Sequence, residues 1–250
     1  IATQLGLTQQ DLEEGAIISS MGVGELGLHL LFETAGSQQL RRHLANDKAF
    51  AAELLELPET SLNSMPAIKV WDPRRCWLEL SNKTADNWGN LTLTMLDEQQ
   101  PMPLPRYQTG DLVRLIDSKK MTEALKQRGI DWQPDGPWPL IALMGRNKDQ
   151  LPGGGHVAGI KDALYRSPEI ADQLSGAFRV ERRKAGTLTL DIQLGLASSH
   201  NASKQTIANR LLAELPPPFT EKDQIKLWPQ LEFPHRPALD FERKFRYWAP

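Results

Sequence analysis

Cysteine is nearly absent from this sequence, and the single Cys76 cannot form an internal disulfide. No run of about 18 apolar residues offers a membrane span, and no basic segment followed by an apolar one indicates a signal peptide at the start. An excess of one charge is also missing, because 29 lysines and arginines against 31 aspartates and glutamates leave a net charge of −2. These absences predict a cytoplasmic protein without nucleic-acid or membrane partners.

The size and composition predict a globular protein. The chain has 250 residues, of which 40% are hydrophobic, which is enough for one large domain or two small ones with buried cores. It begins with Ile1 rather than methionine. We therefore expect a fragment of a longer protein.

The first part of the chain is rich in strand signals. Residues Gln38 to Leu57 have helical spacing of apolar positions, and Pro58 is the predicted stop. Ala67 to Leu80 is β-rich, and Leu91 to Leu96 alternates threonine with apolar side chains. We predict a twisted antiparallel sheet with turns at Asp72-Pro73 and Trp88-Gly89-Asn90.

The pattern of apolar and polar residues changes after Asn147. A helix-like run extends from Ile160 to Leu174, strand-like runs begin at Phe178 and Leu188, and Asn201 to Leu215 is typical of a helix. This order predicts a small α+β domain with helices against an antiparallel sheet. The predicted domains are residues 1–146 and 147–250.

The most informative segment is "LTLTMLDEQQPMPLPRYQTGDLVRLI", which is followed by "LIALMGR" ending at Arg146. An isolated Thr-Gly-Asp is typical of a simple turn that the aspartate caps. Together, however, the strand, the Tyr-x-Thr-Gly-Asp motif and the Gly-Arg pair resemble the adenylate-forming enzymes, most closely the phenylacetate-CoA ligase branch. The resemblance implies that Asp111 accepts hydrogen bonds from the ribose hydroxyls of ATP and that Arg146 contacts the nucleotide.

A second segment, "LGLTQ", resembles the Tyr-Gly-x-Thr-Glu motif of the same family. The implied nucleotide-binding residues are Gly6, Leu7, Thr8 and Gln9. Leu5 stands where the family has tyrosine, and Gln9 stands where the family has the glutamate that faces Mg²⁺. A neutral glutamine is a poor Mg²⁺ ligand beside a carboxylate. The alternative interpretation of this segment is an ordinary strand-to-loop turn.

The stretch "GVGELGLH" resembles the family's Gly-Leu-His segment, near which relatives carry cysteines in a pattern that indicates metal binding. This chain has Ser19 and Ser20 instead, so we predict no metal ligands. His29 is expected to be a packed or hydrogen-bonded histidine.

The family's hinge and catalytic lysine have counterparts here by resemblance only. Lys148 stands at the pivot about which relatives rotate the small domain between two reaction steps. Lys244, in "LDFERKFRYW", is the candidate for the lysine that neutralises the carboxylate and the α-phosphate during adenylation. The glycine run Gly153 to Gly155 lacks the lysine and serine or threonine of a phosphate loop, so it is interpreted as a flexible turn.

The resemblance implies a mixed α+β and α/β fold: the β-rich end of the large N-terminal domain of an adenylate-forming enzyme, followed by a small mobile C-terminal domain. It implies an acid-CoA ligase that uses ATP and Mg²⁺ to convert an aromatic carboxylic acid into an acyl-adenylate. Coenzyme A is the candidate acceptor, antibiotic or other secondary-metabolite biosynthesis the candidate pathway, and a homodimer the candidate assembly. The alternative is a non-catalytic relative that binds an aryl carboxylate or a nucleotide. A Ser-His-Asp hydrolase is excluded because no G-x-S-x-G motif occurs.

Overall fold

The chain forms two compact units, residues Ile1–Lys148 and Asp149–Pro250, which we call the large lobe and the small lobe. The computed structural model describes residues 5–24, 26–57, 64–96, 104–151, 155–183, 186–196, 204–235 and 247–249. The sequence prediction placed the boundary between Arg146 and Asn147. Within the described residues, no helix is both long and apolar enough to cross a membrane.

The large lobe is built on a seven-stranded sheet in the order β1-β2-β3-β7-β6-β5-β4. Every neighbouring pair in it is antiparallel, as predicted. Its elements are α1 (Gln9–Glu13), β1 (Ser20–Val23), β2 (Gly27–Phe32), α2 (Ala35–Asn46), α3 (Lys48–Leu55), β3 (Ala67–Val70), β4 (Cys76–Ser81), β5 (Gly89–Met95), β6 (Tyr107–Ile116), α4 (Ser118–Gln127) and β7 (Leu140–Arg146).

Two hydrophobic clusters cover this sheet because alternate residues of a strand point to opposite faces. Leu140 and Ala142 of β7 pack with the apolar sides of helices α2, α3 and α4. Ile141, between them, packs with Val113 and the apolar residues of β2, β4 and β5. The strand that ends at Arg146 is therefore held on both of its faces.

The single helix predicted from Gln38 to Leu57 is wrong. The structure has α2 and α3 there, separated by Asp47, whose carboxylate accepts a hydrogen bond from the backbone N–H of Phe50 and caps the second helix. A short acidic side chain at this position satisfies the first N–H groups of a new helix better than it continues the old one. Pro58, the predicted stop, lies outside the described residues.

The predicted turn at Asp72-Pro73 does not form a hairpin between its flanking strands. β3 pairs with β2 and β7, whereas β4 pairs with β5 at the other side of the sheet. The predicted turn at Trp88-Gly89-Asn90 is displaced: residues 82–88 connect β4 to its neighbour β5, and Gly89 and Asn90 already belong to β5.

The small lobe has a four-stranded sheet in the order β10-β9-β8-β11 with helices packed against it. Its elements are α5 (Val157–Arg166), α6 (Pro168–Ala171), β8 (Leu174–Arg182), β9 (Leu188–Leu194), α7 (Lys204–Glu214), β10 (Gln224–Trp228) and β11 (Trp248–Ala249). Only β8 and β9 are antiparallel; β10 and β11 run parallel to their neighbours, so the predicted antiparallel sheet is mixed.

The helix predicted from Ile160 to Leu174 is also shorter in the structure. Ser167 is in an extended conformation before Pro168, which begins the separate helix α6. A proline disfavours the helical conformation of the residue before it, and this explains the break. The chain is already in strand β8 at Leu174.

Gly155 packs tightly rather than serving as a flexible turn. A Cβ atom added there would overlap the carbonyl oxygen of Pro217 and lie 2.7 Å from Cδ of Pro218. The carbonyl of Gly155 also accepts a hydrogen bond from the N–H of Leu151. The backbone of this loop therefore rests directly on the segment after α7. Gly153 and Gly154 lie outside the described residues.

We predict that Gly155→Ala lowers the free energy of unfolding of the small lobe by about 2 kcal/mol, because the obstructing atoms belong to a backbone carbonyl and a proline ring. Urea denaturation checks this. Gly195→Ala is the matched control in the same lobe, since a Cβ there meets only ordinary contacts at 3.6 Å and beyond. Equal stability of the two variants would contradict the packing argument.

Candidate functional site

Asp111 and Arg146 face each other across two neighbouring strands. Asp111 of β6 is paired in register with Arg146, the last residue of β7. Oδ1 of the aspartate lies 4.0 Å from Nε of the arginine, and the two side chains are 11% and 31% exposed. This separation exceeds a normal N–H···O hydrogen-bond length, so the contact is an ion pair at a partly open position.

Two bulges place these side chains. Between the pairs Asn90–Leu112 and Thr92–Gln108, three residues of β6 stand opposite one residue of β5. The pairing of β6 with β7 is also irregular, because Leu112 pairs with Gly145 whereas the next residue, Val113, pairs with Leu143. Bulges bend a strand and turn its side chains in a new direction, and they are common beside functional sites.

The glycines of both motifs lie at these bulges. Gly110 has φ +78° and Gly145 has φ +126°, values that an L side chain rarely adopts. Each glycine directly precedes one member of the pair, Asp111 or Arg146. The two motifs that are separated in sequence therefore form one local arrangement in space.

Thr109 makes the local hydrogen bonds of the first bulge. Its hydroxyl oxygen accepts from the backbone N–H of Asp111 at 3.2 Å and lies 3.5 Å from the carbonyl oxygen of Leu91. The turn-capping role that an isolated Thr-Gly-Asp would give to the aspartate thus belongs to the threonine.

Lys148, the predicted hinge residue, lies at the division between the lobes. It is exposed, in a single 3-10 turn at Asn147–Asp149. The side chain of Asn147 donates a hydrogen bond to the side-chain oxygen of Asn90, at the start of β5. The residue before Lys148 is thereby tied to the large lobe, while its role as a pivot stays a prediction.

The segment Gly6–Gln9 forms the beginning of helix α1. The hydroxyl of Thr8 caps this helix and forms a capping box with Asp11, whose pKa these hydrogen bonds lower. The side chain of Gln9 donates to Glu13 at 2.9 Å. Gly6 has φ +68° at the preceding turn. Thr8 and Gln9 thus make hydrogen bonds within α1, whereas Asp111 and Arg146 meet each other.

Arg114 is a supporting residue whose role our interpretation of the motif did not include. It is buried on β6, donates to the carbonyl oxygens of Leu55 at 2.7 Å and Asp86 at 3.0 Å, and pairs with Glu56 at 2.7 Å. The only signal in the sequence is its position three residues after Asp111. The strand that carries Asp111 is therefore tied to α3 and to the β4–β5 connection.

Ser19, one of the two serines at the position expected for cysteines, has a side-chain partner. The ammonium group of Lys69 is buried and donates to the hydroxyl of Ser19 at 2.7 Å and to its carbonyl oxygen at 3.2 Å, with Glu33 at 3.7 Å. Burial lowers the pKa of Lys69. His29 is exposed with φ +60°, so of the two alternatives expected for it, a packed or a hydrogen-bonded histidine, the packed one is wrong. Lys244 lies outside the described residues.

No family model matches the chain, and no curated protein sequence matches it. Solved structures do match. A crystal structure of 2-hydroxyisobutyryl-CoA ligase in the postadenylation state, in complex with R3-HIB-AMP, has a TM-score of 0.51 and 14% identity over 93% of this chain and 42% of the ligase. O-succinylbenzoate coenzyme A synthetase from Bacillus subtilis, in complex with AMP, has a TM-score of 0.45 and 12% identity over 89% of this chain and 40% of that one.

The first of these likenesses establishes the fold. The chain has the predicted mixed fold, with the large antiparallel sheet and the small α+β unit of adenylate-forming enzymes, and it spans 42% of the length of the ligase. At such low identity the likeness extends to the fold alone, so the roles of individual residues are matters of proposal.

We predict that Gly110→Ala lowers the free energy of unfolding by about 1 kcal/mol, because its φ of +78° strains an alanine backbone. The space around it is open, so no overlap adds to this cost. Gly110→Asn should cost less, since asparagine tolerates this conformation better. Urea denaturation of both variants checks the order, and an alanine variant as stable as the parent would contradict it.

Proposed function

We propose that this chain is part of an adenylate-forming ligase of the phenylacetate-CoA ligase type, which activates an aromatic carboxylic acid with ATP. The observation that carries the proposal is the Asp111–Arg146 pair on neighbouring strands of the large lobe, with Arg146 two residues before the end of that lobe in the chain. Because the chain spans 42% of the ligase that it matches, the activity is proposed for the whole protein.

The proposed reaction has two steps. An oxygen of the substrate carboxylate attacks the α-phosphorus of ATP, the bond between that phosphorus and the oxygen that bridges to the β-phosphate breaks, and pyrophosphate leaves. Mg²⁺, when bound, would offset the negative charge of the phosphates. An acceptor such as the thiol of coenzyme A then attacks the acyl carbonyl carbon, and AMP leaves. Both steps depend chiefly on positioning and on neutralising negative charge.

Asp111 is suited to hold the ribose in this reaction. An ionised carboxylate has two oxygens and only accepts hydrogen bonds, so one group can receive both ribose hydroxyls. Its position at a bulge, mostly buried beside the guanidinium of Arg146, fixes its direction. Arg146 supplies permanent positive charge and planar donors for an oxygen of the same nucleotide.

Lys148 and Lys244 complete the proposal. Lys148 would serve as the hinge of the small lobe, since it is the last residue of the large lobe in the chain. Lys244 would bring its ammonium group to the carboxylate and the α-phosphate in the first step, where charge develops. Gly6 to Gln9 would approach the nucleotide from the large lobe.

A second candidate function is binding without turnover. Two residues of the segment "LGLTQ" favour it: the hydroxyl of Thr8 caps α1, and the side-chain amide of Gln9 donates a hydrogen bond to Glu13. Neither position offers the carboxylate that would face Mg²⁺. Such a protein would hold an aryl carboxylate or a nucleotide but would not form the acyl-adenylate.

We predict that Asp111→Asn removes the preference of the protein for ribose hydroxyls. The unchanged chain should bind AMP about tenfold or more tightly than 2′,3′-dideoxy-AMP, because hydrogen bonds to a charged acceptor contribute roughly 1.5–3 kcal/mol. The variant should bind the two nucleotides about equally. Isothermal titration calorimetry measures all four affinities.

Asp131→Asn is the matched control for this cycle, because it makes the same change at an exposed loop position of the large lobe. It should keep the preference for AMP. If Asp111→Asn also kept it, the assignment of this carboxylate to the ribose would be wrong.

We predict that Lys244→Ala in the whole protein lowers carboxylate-dependent exchange of labelled pyrophosphate into ATP by about a hundredfold, with AMP affinity unchanged. Lys222→Ala, an exposed lysine of the small lobe, is the control. Tight binding of aryl acids without any exchange in the unchanged protein would favour the second function instead.

A further inference from the structure

Three side chains that can ligate a metal converge on the small lobe. They are Glu181 of β8, Asp191 of β9 and His235, which follows β10, and their ligand atoms lie within 4.8 Å of one another. Nε2 of His235 is 2.9 Å from Oδ2 of Asp191, and its Nδ1 is 3.7 Å from Oε1 of Glu181. The large-lobe pair Asp111–Arg146 has no part in this cluster.

The β8–β9 register explains why the two carboxylates meet. Asp191 is paired with Arg179 and Glu181 with Thr189, so the two acidic residues are diagonal neighbours on one face of the sheet. Val180, between Arg179 and Glu181 in sequence, points to the buried core on the opposite face.

His235 is brought to this face by the segment after β10. Phe233 is buried, and its ring packs edge-on against the imidazole of His235 at 5.4 Å between centroids. The histidine therefore has a fixed approach to the carboxylates rather than a chance position on the surface.

The indole of Trp228 orients the buried carboxylate of Asp191. Asp191 is 5% exposed, and its Oδ1 accepts a hydrogen bond from the indole N–H of Trp228 at 2.9 Å. This bond holds the carboxylate so that Oδ2 faces the imidazole. Ligating carboxylates are typically fixed by such hydrogen bonds from outside the coordination sphere.

We propose that Glu181, Asp191 and His235 bind one divalent transition-metal ion, with Zn²⁺ as the best-suited ion. One imidazole nitrogen and two carboxylate oxygens are ligands that Zn²⁺ takes at about 2.0–2.2 Å, which puts neighbouring ligands roughly 3.3 Å apart. In the structure the two ring nitrogens of His235 face different carboxylates, at 2.9 and 3.7 Å, while one ligand atom from each residue lies within 4.8 Å of the other two. Binding one ion therefore requires the imidazole and the half-exposed Glu181 to rotate until one nitrogen and both carboxylates face the same point.

The site is open on one side. The side chains of Glu181 and His235 are 45% and 17% exposed, so solvent reaches the cluster and can supply a fourth ligand. Three protein ligands and one solvent molecule complete the tetrahedral arrangement that Zn²⁺ prefers.

The competing arrangement is a protonated His235 that bridges the two carboxylates without a metal. Arg179 and Lys226 are both in register with Asp191 on the strands beside it. Their positive charges partly offset the negative charge of the two carboxylates, which weakens the attraction for a protonated imidazole and for a metal ion alike. A proton and a metal ion compete for the same imidazole nitrogen. Affinity for the metal should therefore fall when the pH is lowered from 7.5 to 5.5.

The test is calorimetric titration of the full chain with ZnCl₂ at pH 7.5, without nucleotide. We expect one site per chain and a rise in Tm of the small lobe of about 5 °C at saturating zinc. Glu181→Gln and His235→Ala should each weaken binding about tenfold or more. His43→Ala, which removes an imidazole from α2, should leave the affinity unchanged.

Glu181→Gln keeps the test decisive if His235→Ala fails to fold, because Glu181 is half exposed. Circular dichroism confirms the fold of each variant. Absence of zinc binding by the unchanged chain, or parental affinity in a folded Glu181→Gln or His235→Ala variant, would overturn the proposal. Since no nucleotide is present, either outcome leaves the ligase proposal to its own experiments.

Discussion

The candidate site of the large lobe depends on two backbone bulges that lie side by side in β6 and β7. A regular antiparallel ladder would keep Asp111 and Arg146 in evenly spaced rows, with side chains perpendicular to the sheet. Gly110 and Gly145 instead take conformations that only glycine adopts at little cost, and the two strands bend at the same level. The ion pair lies at that bend, immediately before the chain passes into the small lobe.

The interior of the large lobe gives this bend a rigid support. Arg114, on the same strand as Asp111, reaches two backbone carbonyls and Glu56, and hydrogen bonding from Arg114 lowers the pKa of Glu56. That contribution to stability is present above the ordinary pKa of 4.5 and is lost as the pH falls through the lowered value. Because a buried guanidinium without partners is costly, β6 cannot easily shift along the sheet.

Local patterns in the sequence were enough to locate strands such as β3, β5, β8 and β9, but not to show how the strands pair. The turn at Asp72-Pro73 was correctly located, yet its flanking strands lie apart because β3 pairs with β2 and β7. The helix break at Asp47 depends on one side-chain cap, which periodicity does not register. In the small lobe, apolar residues that recur at every second position identify a strand. They do not show whether the strand runs parallel or antiparallel to its neighbour, so the sequence did not predict the mixed sheet.

The motifs of the chain, whose glycines and charged residues are adjacent in sequence, were enough to predict the adenylate-forming fold class. Their resemblance to the family also predicted that Asp111 and Arg146 lie near each other. The structure added the 4.0 Å ion pair between them, the capping of a helix by Thr8, and the convergence of Glu181, Asp191 and His235. The reason is physical: residues far apart in sequence are brought together by strand register and core packing, which no local pattern encodes.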